Sequence, residues 1–261
     1  MSKIKYIFSI NTGRCGSDYL SKIFSKVEGC NSNHEADPIG NGKFMFEYNL
    51  GKRKNMELLA KSKFNDIINE TSSGIYADTS HLFIKGFGNY VKNYIDEKEV
   101  GIIILKRDKK SVVNSFYRIH SSLLLHNGKK WLLSPNKHNP LIQPPSFLFL
   151  SSQHSYLIAW YLKRLFSRIN KFLFATFSTK VKEFSFIKKY EFQCLEWYYD
   201  ETYALADDFK RKHSNIKFYE VQLEQLNNQY EVERLLQFFD LKYNSNIDAI
   251  LGKASNNKSY V

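Results

Sequence analysis

Thr12-Gly13-Arg14-Cys15-Gly16-Ser17 places two glycines, an arginine and two hydroxyl residues after an apolar, β-rich run (residues 5–10). The segment that follows has Leu20, Ile23, Phe24 and Val27 at helical spacing. A strand that turns tightly into a helix aims free backbone N–H groups and the positive end of a helix dipole at one spot, which suits a phosphate. Gly13 and Gly16 allow an anion close to the backbone, and Ser17 offers both N–H and O–H. Cys15 reads as a small residue tolerated beside an anion, with a reactive thiol as the alternative, and Arg14 adds a permanent charge with a planar fork of donors. The spacing is not G-x-x-x-x-G-K-[ST], because no Lys-Ser or Lys-Thr pair closes the loop. Taken alone, the loop also reads as an ordinary strand-to-helix turn. A second reactive group lies in the polar stretch 29–42, where Pro38 and Gly40 break regular structure. Its His34, Glu35 and Asp37 form the first candidate acid/base cluster; a solvated loop is the alternative.

These residues need elements to hold them. Residues 55–69 read as a helix with Met56, Leu59, Ala60, Phe64, Ile67 and Ile68 on an uneven apolar face, and residues 75–80 as a short strand with His81 at its end. Catalytic groups of open parallel sheets gather at strand C-termini, which favours a site role for His81; a structural histidine is the alternative. A helix is expected over 86–95. Residues 100–105 are almost uninterrupted and β-branched, as a central parallel strand buried on both faces should be. That run leads into Lys106-Arg107-Asp108 and a helix carrying Ser115. An arginine at a strand tip and a serine two helical turns on can hold one phosphate from two sides. Arg118, one turn beyond Ser115, either joins them or faces solvent.

Residues 119–150 are irregular and hold four of the five prolines. They read as an acceptor-side wall or lid, with Trp131, His126, His138 and Lys129-Lys130 as candidate contacts, or as a surface insertion. A mostly helical half follows, with Leu157, Trp160, Tyr161, Leu165, Phe166 and Ile169 at helical spacing and a strong helix over 192–213. Its aromatic residues read as core. Residues 216–221 form the last strand, Glu224 opens a polar turn, and 231–239 form a helix. Residues 252–259 are a basic tail.

Composition bounds the reading. The 261 residues have no internal repeat and no clear linker, which implies one domain over 1–261. A net charge of +12 would attract nucleotides, sulfated or phosphorylated sugars, nucleic acid or an acidic membrane surface, or it is a lysine-rich solvated surface. Three scattered cysteines, Cys15, Cys30 and Cys194, make neither a disulfide framework nor a zinc site. The first strand starts almost at the N-terminus, and no run of about 18 apolar residues occurs. The expectation is therefore a soluble, cytoplasmic protein without a membrane span.

Thr-Gly-Arg-Cys-Gly-Ser before a helix resembles the 5′-phosphosulfate loop of sulfotransferases that use 3′-phosphoadenosine 5′-phosphosulfate (PAPS), commonly R-[SC]-G-[ST]-x-x-L; Arg14, Cys15, Gly16, Ser17 and Leu20 carry the match. Arg107, Asp108 and Ser115, with eight residues from Arg107 to Ser115, resemble the 3′-phosphate signature of the same family. Tyr219-Glu220-Val221-Gln222-Leu223 and Phe238-Phe239-Asp240-Leu241 resemble its C-terminal segment. The resemblance implies an α/β fold with a central parallel sheet flanked by helices. It implies PAPS as sulfuryl donor and 3′,5′-ADP as product, with no metal, and a hydroxyl or amine acceptor, a saccharide being preferred. It implies that Gly13, Arg14, Cys15, Gly16 and Ser17 hold the 5′-phosphosulfate and that Arg107 and Ser115 hold the 3′-phosphate. Lys253 and Lys258 are candidates for closing over the nucleotide. Arg14 would stabilise the leaving group, and Glu35, in a His-Glu-x-x-Pro setting, would be the carboxylate near the sulfonyl group. His81 matches the general-base histidine of the cytosolic enzymes' Lys-Thr-His triplet, here Thr79-Ser80-His81, which makes it a rival base to Glu35.

Some positions depart from the family. The triplet lysine is absent, which places the chain nearer the Arg-loop carbohydrate and protein sulfotransferases. Asp18 stands where many members have Ser or Thr, and loop 119–150 has no familiar pattern. A non-catalytic anion- or nucleic-acid-binding protein would need a basic stripe with aromatic platforms, but the charges here are scattered. A P-loop-like phosphotransferase is disfavoured by the missing loop lysine.

Overall fold

The run over residues 5–10 becomes β1 (Tyr6–Ile10), the middle strand of a five-stranded parallel sheet. The computed structural model describes residues 3–71, 74–123, 125–146, 161, 185–243 and 246–252. β1 pairs with β3 (Ile75–Asp78) on one side and with β4 (Val100–Lys106) on the other. β2 (Cys30–Asn33) lies outside β3, and β5 (Lys217–Gln222) lies outside β4. Every pairing is parallel, so all the strand C-termini share one edge. This is the α/β class, with helices on both faces of a central parallel sheet, that the sequence led us to expect.

The period of the strands separates the two faces. Phe8 points to the side of α3 (Lys54–Glu70), where its ring stacks on Phe83 at 4.9 Å and meets Phe64 edge-on at 6.1 Å. Phe218 lies in the same row of the sheet and meets Phe209 of α6 (Ser185–Lys212). α4 (Lys109–Arg118) packs on α6 through Phe116 and Tyr198. On the opposite face, Ser32 of β2 bonds Ser21 of α1 (Ser17–Phe24). Gly101 of β4 lies under Phe239, just after α7 (Gln229–Phe238). A Cβ on Gly101 would come within 2.6 Å of the Phe239 ring, so that ring can cross the sheet only where a strand residue has no side chain.

Several expectations shift. Residues 30–33 lie in the stretch expected to be loop, yet they form the edge strand β2. Cys-Asn-Ser-Asn has no apolar alternation, and its strand exists because β3 offers a backbone ladder. The helix expected over 86–95 is a 3₁₀ helix, Phe87–Asn93. The Asn89 side chain donates to the Ile84 and Gly86 carbonyls and so takes acceptors that a regular α-turn would use. α6 begins at Ser185 rather than at residue 192, extended by a turn whose Tyr190 is buried and donates to Pro145 O. Short helices also form at Lys43–Asn49 (α2) and His126–Lys129 (α5).

Residues 119–146, where described, are packed rather than loose. Asn49 pins them by accepting from Ser134 N and His138 N and donating to Leu132 O. The buried Glu201 carboxylate accepts from Leu141 N and Ile142 N and pairs with Lys137 at 2.8 Å. Among the sequence candidates, Leu157, Trp160, Leu165, Phe166, Ile169, Lys253 and Lys258 lie outside the described residues. Among the described residues no helix is long and apolar enough to cross a membrane.

Candidate active site

Each strand delivers one part of the site at its C-terminal tip. β1 leads to the loop of Gly13 to Ser17, β2 to His34 and Glu35, β3 to His81, β4 to Arg107 and β5 to Leu223. These segments surround one cleft of about 880 Å³. Open parallel sheets place ligands at this edge, where the connections on either side of a strand leave in opposite directions. β1, flanked by β3 and β4, is that strand here.

The β1 loop is shaped by its own side chains. Asn11 Oδ1 accepts from Gly13 N at 2.8 Å, and Asn11 Nδ2 donates to Ser9 Oγ. Gly16 sits in the left-handed region at φ +86° and stands at the N-cap of α1, where glycine offers no side chain to cap the helix. A Cβ on Gly16 would lie 2.4 Å from Leu223 Cδ1 and at a φ that favours glycine, so any other residue here would strain the loop and displace the Leu223 tip. Arg14 also has a positive φ, 58°. Its Nε donates to Ser115 Oγ at 3.0 Å, while Arg107 Nη1 donates to the Arg14 carbonyl at 3.0 Å. The two segments expected to bind separate phosphates are thus joined: Arg14 reaches α4, and Arg107 supports the loop that carries Arg14.

Arg107 Nε is buried and has no acceptor among the described residues. A buried donor left unpaired costs roughly 1–3 kcal/mol, more when the group is charged, so this edge of the guanidinium fits an anion. Asp108 has a separate job. Its carboxylate accepts from Ser111 N at 2.8 Å and caps α4; that backbone bond holds its pKa below the usual carboxylate value.

Gly13, Gly16, Ser17, Arg14, Arg107 and Ser115 line the cleft, but the Cys15 side chain does not. Cys15 is buried beneath the loop, 2.8 Å from Thr12 Oγ1 and 3.7 Å from Tyr203 Oη, and burial pushes its thiol pKa up. Asp18 lines the rim and pairs with Lys22 one turn on, at 3.3 Å.

Across β1, Glu35 and His81 line the same cleft. Glu35 stands at φ 59°, a region that costs a non-glycine residue about 1–2 kcal/mol. The fold holds it there: Lys63 of α3 donates to Ala36 O at 2.5 Å and pairs with buried Asp78 at 3.0 Å. Glu35 Oε1 lies 3.3 Å from His81 Nε2. His34 also lines the cleft, with Nδ1 3.2 Å from Thr79 Oγ1, whereas Asp37 is exposed and is not part of the wall. Trp131 and Arg118 complete the open side, the Trp131 ring 6.1 Å from that of His81.

Behind this wall are residues that sequence reasoning missed. Lys85, buried in the turn after His81, has its Nζ 2.5 Å from His81 Nδ1 and donates to Tyr198 Oη at 2.5 Å; Tyr198 Oη in turn donates to Thr12 O at 2.5 Å. Two further tyrosines of α6 hold the β4 tip, Tyr203 Oη donating to Leu105 O and Tyr199 Oη to Arg107 O. The helical period assigns Tyr198 to the core, where it packs, as does Tyr203, while Tyr199 is half-buried; their hydroxyl partners depend on tertiary structure alone.

No known family model matches the chain, and no curated protein matches it. Among solved structures it is similar to a sulfotransferase domain from the curacin biosynthetic pathway, with 9% identity and a TM-score of 0.48, over 94% of this chain and 77% of that one. So distant a likeness carries no functional conclusion.

Proposed function

We propose that the chain transfers a sulfuryl group from PAPS to a hydroxyl or amine acceptor, with a saccharide as the preferred class. One observation carries the reading: a single cleft has interlocked phosphate-binding groups (Arg14, Arg107, Ser115) on one side of β1 and a carboxylate backed by an imidazole (Glu35, His81) on the other. Arg107 Nε, without an acceptor among the described residues, and the N-terminus of α1 behind Gly16 suit a ligand with two separated phosphate groups. PAPS, when bound, supplies an activated sulfuryl group on a phosphate leaving group.

The chain's own residues do the remaining work. The Gly16-Ser17 backbone and the Ser17 hydroxyl hold the 5′-phosphate. Arg107 and Ser115 hold the 3′-phosphate and set the register. Arg14 offsets negative charge that gathers on the leaving oxygens, a task suited to a cation fixed in place beforehand. Glu35 takes the acceptor's proton as that atom becomes a nucleophile.

The test is incubation with sulfur-labelled PAPS and a panel of saccharide, phenol and amine acceptors. Label should move to an acceptor with the wild type and not with Glu35→Gln. Turnover with magnesium and ATP in place of PAPS would overturn the reading.

A further inference from the structure

The chain from Glu35 through His81 and Lys85 to Tyr198 ends on the phosphate loop, at Thr12 O. Its protons can be placed by counting donors. Tyr198 has one hydroxyl proton, and Thr12 O, which has none to give, must receive it. The contact between Lys85 and Tyr198 therefore has the lysine as donor. Lys85 has no carboxylate within ion-pair distance among the described residues, and its other close polar neighbour is His81 Nδ1.

An imidazole that accepts at Nδ1 carries its proton on Nε2. That atom faces Glu35 Oε1, which as a carboxylate has only lone pairs to offer. The opposite tautomer would turn a lone pair toward the carboxylate, making that contact repulsive. We propose that Lys85 is a positioning residue for the acceptor-side base: it holds His81 in the Nε2–H tautomer, so that His81 donates to Glu35 and Glu35 alone is left to take the acceptor's proton. The inference rests on the reading of Glu35 as that base.

The surroundings agree. His81 is faced by Lys85 from its own turn, by Glu35 and His34 from the β2 tip, and by the Trp131 ring. Burial first, then Lys85 and His34, hold its pKa well below the usual imidazole value, so it stays neutral. Burial also pulls the Lys85 pKa down, against the opposing pull of Glu35 and Cys15. Lys85 is not part of the cleft wall and reaches the acceptor side through His81.

The experiment is a long-range ¹H–¹⁵N correlation spectrum of the ligand-free protein, with His81 assigned by its loss in His81→Gln. The wild type should show a neutral Nε2–H imidazole that stays so between about pH 7 and 5. Lys85→Met leaves Nδ1 without its donor, so His81 should take up a second proton and appear partly as imidazolium between about pH 7 and 5, and kcat should fall roughly 10–100-fold with the KM for PAPS little changed, a fraction of what a general base supplies. An Nδ1–H imidazole or an imidazolium in the wild type would overturn the proposal, as would an unchanged His81 signal in Lys85→Met. If Lys85→Met does not fold, the wild-type spectrum decides alone. The tautomer is read without donor, so it is independent of whether PAPS is that donor; binding of 3′,5′-ADP settles that question separately.

Discussion

The two halves of the cleft, either side of β1, are built differently. The half at β1 and β4 rests on guanidinium groups at strand tips, held by short local turns and one long-range exchange of hydrogen bonds, Arg14 with Ser115 and Arg107 with Arg14 O. The half at β2 and β3 rests on a carboxylate in an unfavourable backbone conformation, backed by a buried imidazole, amine and phenol drawn from the turn after β3 and from α6. In the proposed function the first half binds charge, which motifs can supply. The second sets a proton's location, which takes a chain of partners that no short motif contains.

Substitutions should separate the halves. The largest effect is expected from Glu35→Gln, which should lower kcat about 10³-fold, within the range for a general base, and leave 3′,5′-ADP affinity within about twofold. A loss of affinity as large as the loss of rate would merge the halves. Gly16→Ala must place a Cβ against Leu223 at positive φ, and should cost about 1–3 kcal/mol of stability and weaken 3′,5′-ADP binding as well. Gly101→Ala, pressed against Phe239 in the core, should cost a similar ~1–3 kcal/mol with no change in binding. Denaturant titration and calorimetry on both variants distinguish a site effect from a core effect.

Ser115→Ala removes the partner of Arg14 Nε and should weaken 3′,5′-ADP about tenfold, the worth of one hydrogen bond to a charged group. The smallest effect is on stability in acid. His81 refuses a proton in the folded state that the unfolded chain accepts as pH falls below the ordinary imidazole value of 6.5, so the unfolded state binds more protons there. The His81 contribution to stability is therefore full above that pH and lost progressively as pH falls from it toward the lower folded-state pKa. Melting curves should show a steeper acid decline for the wild type than for His81→Gln.

Much of the first half is legible in the sequence because its signals are local. Two glycines and an arginine follow a β-rich run, and a serine follows an arginine by eight residues on a helix. The spacing does not show that Arg14 reaches Ser115, or that Cys15 turns away from the cleft into the core. In the second half the single residues Glu35 and His81 are legible as acid/base types after breakers and at a strand end. Their support is not: Lys85, Tyr198 and Lys63 read as polar or aromatic members of turns and helices, and only the pairing of distant segments brings them together. β2 escaped for a related reason, since a polar edge strand owes its existence to its neighbour's backbone.

The most direct measurement is a calorimetric titration of 3′,5′-ADP, with AMP and ATP as controls, against the wild type and Arg107→Ala. Binding of 3′,5′-ADP well above both controls is expected, weakened about 10–100-fold in the variant as a charge-assisted contact is lost. If 3′,5′-ADP binds the wild type no better than AMP, the cleft does not hold two phosphate groups and the sulfuryl-transfer account fails.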